Sequence, residues 1–192
     1  EKNSSDCEKK NRRIFVPFDP FLLETDLDLE ALLDQLKKYT FQIIRKKELI
    51  LCSPSVRFEV LHPETLSGKQ NDDSLVLKIS HGNISFLLAA DAGPAVQKKL
   101  LEDYGHELRA DLLKIPHHAN DHEVYEPFLE AVAPGISILS IGENTYDAPN
   151  AKLLLLYQNT SKRLFRTDVH GTIAASSNGR TLKITTACPA VF

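Results

Sequence analysis

At 192 residues the chain is long enough for one ordinary domain with a substantial core, or for two small ones. Hydrophobic residues make up 42% and charged residues 26%, which excludes a disordered or fibrous class. The formal net charge of −3 gives no global attraction to nucleic acid, and no apolar run approaches the ~20 residues that span a bilayer.

Residues 1–12 are rich in charge without an apolar run and are expected as a flexible leader, with 13–192 a single domain. The polar start shows no signal peptide, and the absence of methionine suggests a trimmed or processed product or part of a longer chain. Basic residues cluster only locally, at 9–13 and 45–47. Cys7, Cys52 and Cys188 are odd in number and lack CxxC spacing, so they form neither a zinc ribbon nor a disulfide framework. Cys52 is expected as a small buried hydrophobe, and a Cys7–Cys188 bridge stays open in an oxidising compartment.

Residues 13–17 read as a short strand. Leu29, Leu32, Leu33 and Leu36 recur at helical spacing over 28–38. Residues 41–44 and 48–52 read as a strand pair, and 56–61 as a further strand with alternating polar positions. The apolar runs 74–80 and 84–90 are joined by His81, Gly82 and Asn83 as a hairpin. Runs 84–90 and 110–116 are nearly continuous and are expected as central buried strands, with Leu88 in the core. A helix between them has Pro94 near its first turn and Gly105 just past its end, with Val96, Leu100, Leu101 and Tyr104 as its apolar face. A second helix is expected with Asn120 or Asp121 as N-cap and Val124, Phe128 and Leu129 inward. A buried strand at 136–141, a helix at 149–157 and a strand at 163–167 follow. A hairpin of 172–176 with 181–185 around Asn178 and Gly179 closes the chain. Strands interleaved with helices and hairpins indicate a mixed-sheet α/β layered domain.

Candidate chemistry gathers where these strands end. Asp91 follows the run FLLAA, and either caps the helix starting near Pro94 or presents a carboxylate at the sheet rim. His117 and His118 follow an apolar strand and a proline, and neutral imidazole is the commonest nitrogen ligand for zinc, manganese or iron. As strand neighbours they would point opposite ways, so one would face a metal while the other oriented it or met substrate. A merely solvated loop pair is the competing reading. Asp73 precedes the first strand of the 74–90 hairpin, and antiparallel pairing would bring it near Asp91. A polar turn explains it equally well. Walker A, GxGxxG, GxSxG and HExxH motifs are absent. Aromatics at 7% without interleaved basic residues do not indicate a base-stacking platform.

Five segments occur together in order: NDDSLVL at 71–77, FLLAAD at 86–91, ADLLKIPHH at 110–118, SIGENTY at 140–146, and RTD at 166–168 with Gly171. The set resembles the metallo-β-lactamase-fold domain of ComEC-type DNA-uptake proteins. The resemblance implies an αββα layered sandwich with one or two ions, zinc or manganese, in a cleft at the sheet edges. It also implies hydrolysis by metal-activated water, with a phosphodiester such as single-stranded DNA as substrate. On it, Asp91 would be the carboxylate shared between metals and one of His117 or His118 a further ligand. Asp73 would lie near the remaining ligand position, and Asn144 and Tyr146 on the substrate side. Partners would be the preceding segment of the same domain and a membrane-channel portion. The location would be the extracytoplasmic face of a bacterial membrane, or the cytoplasm if the ComEC likeness does not extend to it. The sequence also departs from the family. The ligand-rich HxHxDH signature occurs nowhere in residues 1–192, PHHGS reads PHHAN, the T/S-G-D turn reads AAD, and YGHP reads YDAP with Ala148 in place of a histidine. The resemblance therefore implies weak or no metal binding by this chain alone, in a hydrolase lineage or as a non-catalytic scaffold.

Overall fold

The computed structural model describes residues 13–16, 40–43, 46–47, 49–68, 71–120, 124–145 and 148–188. The expected leader at 1–12, the helix at 28–38, Cys7 and Tyr146 lie outside the described residues. The chain divides into two compact units, 1–45 and 46–192.

In the first unit β1 (Arg13–Val16) pairs in parallel with β2 (Thr40–Ile43). The expected pairing of this second strand with 48–52 is therefore corrected. That run is β3 (Leu49–Ser53), and its antiparallel neighbour is β4 (Val56–His62).

The second unit is built on a seven-stranded sheet. After β3 and β4 come β5 (Val76–His81), β6 (Ile84–Leu88), β7 (Leu112–Lys114), β8 (Ile136–Leu139) and β9 (Arg163–Arg166), ordered in space as in sequence. The first four are antiparallel, whereas β6 to β9 run parallel. The switch follows from the connections. Gly82 and Asn83 close the β5–β6 hairpin in two residues, and Gly82 at φ 55 supplies the positive φ such a turn needs. Parallel neighbours require longer crossovers, which here carry α1 (Pro94–Tyr104), α2 (Glu126–Val132) and α3 (Ala151–Thr160).

These helices share one face of the sheet. Leu87, Leu113 and Leu139 point into a single core with Val96 and Leu100 of α1, Phe128 and Leu129 of α2, and Leu153 and Tyr157 of α3. Buried Gln97 is satisfied within it, donating to the Ala92 carbonyl and accepting from Tyr125 N–H. The opposite face carries β10 (Ile173–Ser177) and β11 (Leu182–Thr186) as a hairpin. Between hairpin and sheet runs a groove lined by Ile79, Phe86, Leu88, Leu112, Lys114, Ile138 and Ile173.

Several expectations shift by a few residues for physical reasons. Leu88 is half-buried on the groove face, and the core position of that strand is Leu87, fully buried one residue earlier. The second helix begins at Glu126 rather than after Asn120 or Asp121, since Pro127 fits only a first turn. The third begins at Ala151, because the Asn150 side chain caps the N–H groups of Lys152 and Leu153. Asp91 does not cap α1; Gly93 holds that position without a side-chain hydrogen bond.

Candidate functional site

The strand directions collect one set of loops at one rim. The C-terminal ends of parallel strands β6 to β9 lead into residues 89–92, 115–120, 140–144 and 167–170. Because β5 is antiparallel to β6, with Leu77 opposite Leu88, the turn before β5 arrives there too. So does the end of β4, where His62 pairs with Val76 past a register shift. In open α/β sheets the carboxyl ends of parallel strands are where ligands bind.

His117 and His118 do not sit on a strand. With Ala119 they form a left-handed turn, at φ 47, 53 and 54, a conformation costing non-glycine residues ~1–2 kcal/mol each. The expectation of opposite strand faces is corrected accordingly, although the turn still sends the two rings different ways. Asn71 Nδ2 donates to His117 Nε2 at 3.3 Å. His118 Nδ1–H donates to the Ser140 carbonyl at 2.6 Å. That bond places a proton on Nδ1 and turns Nε2 toward Asp91 Oδ1, 3.7 Å away. Three strained residues in succession at a strand end are the kind of backbone outlier that concentrates at functional sites.

Asp91 follows Ala90, another left-handed residue at φ 46. The Ala90 carbonyl accepts from His117 N–H at 3.0 Å and from Lys114 Nζ at 2.8 Å, which ties the β6 turn to the β7 turn. Asp91 N–H donates to Ser74 Oγ. The Lys114 ammonium lies 3.8 Å from the same Asp91 Oδ1 that His118 approaches. Burial pushes the Lys114 pKa down, and Asp91 opposes that shift. With 42% of Asp91 and 46% of His118 side-chain surface exposed, a ligand can reach both.

The remaining expected residues are placed differently. Asp73 accepts from the backbone N–H groups of Ser67 and Gly68 at 2.6 and 2.9 Å, so its carboxylate shapes the preceding loop. Burial raises its pKa, but these hydrogen bonds outweigh that and hold it below the ordinary carboxylate value. Asn144 spends its amide inside its own loop, donating to the carbonyls of Gly142 and Ala148 and accepting from Ala148 N–H. That loop borders a cleft of about 200 Å³ lined by His118, Ser140, Ile141, Gly142, Glu143 and Asn144. Asn150 N–H reaches the Ala119 carbonyl and joins the loop to the histidine turn. Thr167 Oγ1 donates to the Ile141 carbonyl and accepts from Ile141 N–H, clasping the ends of β8 and β9. Arg166 and Asp168 pair in two-pronged fashion beside it.

Lys114, Asn71, Ser74 and Thr167 were not singled out as site residues from sequence. Lys114 had a legible signal, being the one cation in an apolar strand directly before the histidines. Ser140 acts through its carbonyl, which no side-chain pattern marks.

Asp91 Oδ1 and His118 Nε2 face each other at a separation two ligands of one ion can adopt. Among the described residues, however, no group of three His, Cys, Asp or Glu side chains could hold a metal ion. The described residues thus supply two donors and an adjacent ammonium, and they do not by themselves fit a metal centre.

A mixed sheet with helices on one face, a β-hairpin on the other and an Asp–His rim at the ends of its parallel strands is a metallo-β-lactamase fold. A mutant of the CmlA β-hydroxylase, a protein of this fold, superposes with a TM-score of 0.51 over 80% of this chain and 38% of its own, at 17% identity. No family model matches the chain. The sequence is 33% identical over 130 residues to ComE operon protein 3 of Bacillus subtilis, covering 67% of this chain and 17% of that protein. It is 29% identical over 120 residues to competence protein ComA of Neisseria gonorrhoeae, covering 62% of this chain and 17% of the relative. The chain is a ComEC-type metallo-β-lactamase-fold domain, and it spans less than a fifth of the length of these relatives. No helix among the described residues is long and apolar enough to cross a membrane.

Proposed function

We propose that the chain belongs to a phosphodiester-hydrolysing lineage and contributes Asp91 and His118 to a cleft that becomes catalytic only when completed by ligands from outside the described residues. The observation that carries this reading is the orientation of His118. Its Nδ1–H is committed to Ser140, and its Nε2 faces Asp91 at 3.7 Å. A backbone carbonyl that accepts from the other ring nitrogen is what fixes a ligating imidazole. The family resemblance implies a phosphodiester such as single-stranded DNA as substrate, and the preceding HxHxDH-bearing segment of the domain is the partner this reading requires. Zinc or manganese would be the cofactor of the completed site.

A second reading, a non-catalytic module, is favoured by Ala148 at the family's histidine position. The two separate in one experiment. The chain is joined to the HxHxDH-bearing segment of a ComEC-type relative placed before residue 13, and manganese-dependent cleavage of single-stranded DNA is measured with and without His118→Gln. The hydrolase reading expects cleavage that falls by at least tenfold in His118→Gln, in line with the loss of an oriented site group. Absence of cleavage from a folded fusion supports the scaffold.

A further inference from the structure

We propose that Thr167 is a positioning residue for His118, its hydroxyl holding the peptide group whose carbonyl aims the imidazole at Asp91. The inference rests on the reading of His118 as a site residue and goes beyond it by assigning what keeps the ring in place.

Strand β8 pairs with β9 only as far as Leu139 opposite Arg166. Ser140 and Ile141 lie past that last pair, where the ladder no longer fixes their backbone. Thr167, the next residue after Arg166, continues the pairing with its side chain. Its Oγ1 accepts from Ile141 N–H at 2.7 Å and donates to the Ile141 carbonyl at 2.6 Å. Both capacities of one hydroxyl are thus used on one backbone residue, and the β-branched side chain has few rotamers by which to leave.

The Ile141 N–H and the Ser140 carbonyl belong to a single planar peptide group, so they point opposite ways from it and turn together. On one side Thr167 Oγ1 holds the N–H. On the other the carbonyl accepts His118 Nδ1–H at 2.6 Å. A rotation of that plane would break both bonds at once. The chain hydroxyl–peptide–imidazole is also mutually polarised, because an amide that donates its N–H accepts better at its carbonyl. Packing does not substitute for this grip, since Ser140 is exposed and 46% of the His118 side-chain surface is open to solvent.

The test reads the ring itself. The purified full chain is labelled with ¹⁵N-histidine, and the ring nitrogens are observed through their couplings to the carbon-bound ring protons at about pH 8.5, some 2 units above an ordinary imidazole pKa. His118→Gln assigns the signals. Thr167→Val and Thr167→Ala remove the hydroxyl, Thr167→Ser keeps it, and Val132→Ala truncates the buried end of α2 before β8 as a control for general loosening. Near-ultraviolet circular dichroism checks folding, and two hydroxyl-free variants ensure that one misfolded protein does not end the test. His118 Nδ1 is expected to read as protonated in wild type, Thr167→Ser and Val132→Ala, and to shift toward an unprotonated nitrogen in Thr167→Val and Thr167→Ala. An Nδ1 unprotonated in wild type, or unmoved in the folded hydroxyl-free variants, would overturn the proposal. So would the same shift in Val132→Ala or in Thr167→Ser. Absence of cleavage in the fusion described above leaves this measurement unaffected, so the two readings fail separately.

Discussion

Asp73 looks like a third acidic ligand in the sequence, yet its oxygens hold the backbone of Ser67 and Gly68. Its carboxyl is accordingly held below the ordinary value of 3.8, the hydrogen bonds outweighing the upward push of burial. A carboxyl depressed by folding stabilises the folded state above its unfolded pKa, and that contribution is lost as pH falls through its folded pKa. The stability difference between wild type and Asp73→Asn should therefore be constant from about pH 5 to 7 and shrink below about pH 4. Urea unfolding midpoints across that range measure it, and a difference that grows on acidification would sink the assignment. The residues legible in sequence were those whose side chains meet at the rim, Asp91 and His118. Their type and their place after apolar strands carried the signal. What fixes them was not legible: the Ser140 carbonyl, the left-handed backbone of residues 117–119, and Ser74 Oγ beneath Asp91 N–H. Backbone acceptors and turn conformations leave no side-chain pattern, and Asp73 reads the same whether it binds an ion or two amides.

Strand β6 separates two faces that its apolar run made look equivalent. Leu87 is fully buried under the helices, whereas Leu88 is half-buried along the groove. Leu87→Ala should cost about 2–5 kcal/mol, and Leu88→Ala distinctly less because its site is not sealed by close packing. Equal losses in equilibrium unfolding would mean that the groove face is packed as tightly as the helical core. The β5–β6 turn offers a second check. A Cβ on Gly82 would come 2.5 Å from the Gly179 carbonyl oxygen, which already accepts Asn83 N–H, and the residue sits at φ 55. Both obstacles are backbone, so neither yields cheaply, and Gly82→Ala should lose about 1–3 kcal/mol. A change below about 0.5 kcal/mol would place the closing hairpin away from this turn. The elements themselves were largely readable, since period and turn chemistry named each strand from 49 onward to within a few residues. The partner of residues 40–43 was not, because short apolar strands carry little information about which edge they join.

At the scale of the whole molecule, the candidate site is a product of topology, since each strand end adds one loop and Asp91 and His118 come from different ones. The loop at 142–150 is the clearest case. Asn144 closes it onto Ala148, and Asn150 ties it to the turn carrying His118. Position 148 is thus tied to Asn144 near the histidine turn, half-buried and outside the helical core. The family resemblance puts a histidine there. If the position belongs to the site, Ala148→His should have no effect in this chain alone, because one added imidazole still leaves the ligand set incomplete. In the fusion carrying the HxHxDH segment it should instead raise manganese-dependent cleavage of single-stranded DNA by tenfold or more. Residues acting as one unit are non-additive in this way. Stability should change by less than about 1 kcal/mol in either background, since no core contact is altered. The comparison is made between fusions with Ala148 and with Ala148→His, both verified as folded. Equal cleavage in the two would remove position 148 from the site and leave its loop with only the structural task of holding Ser140 against His118.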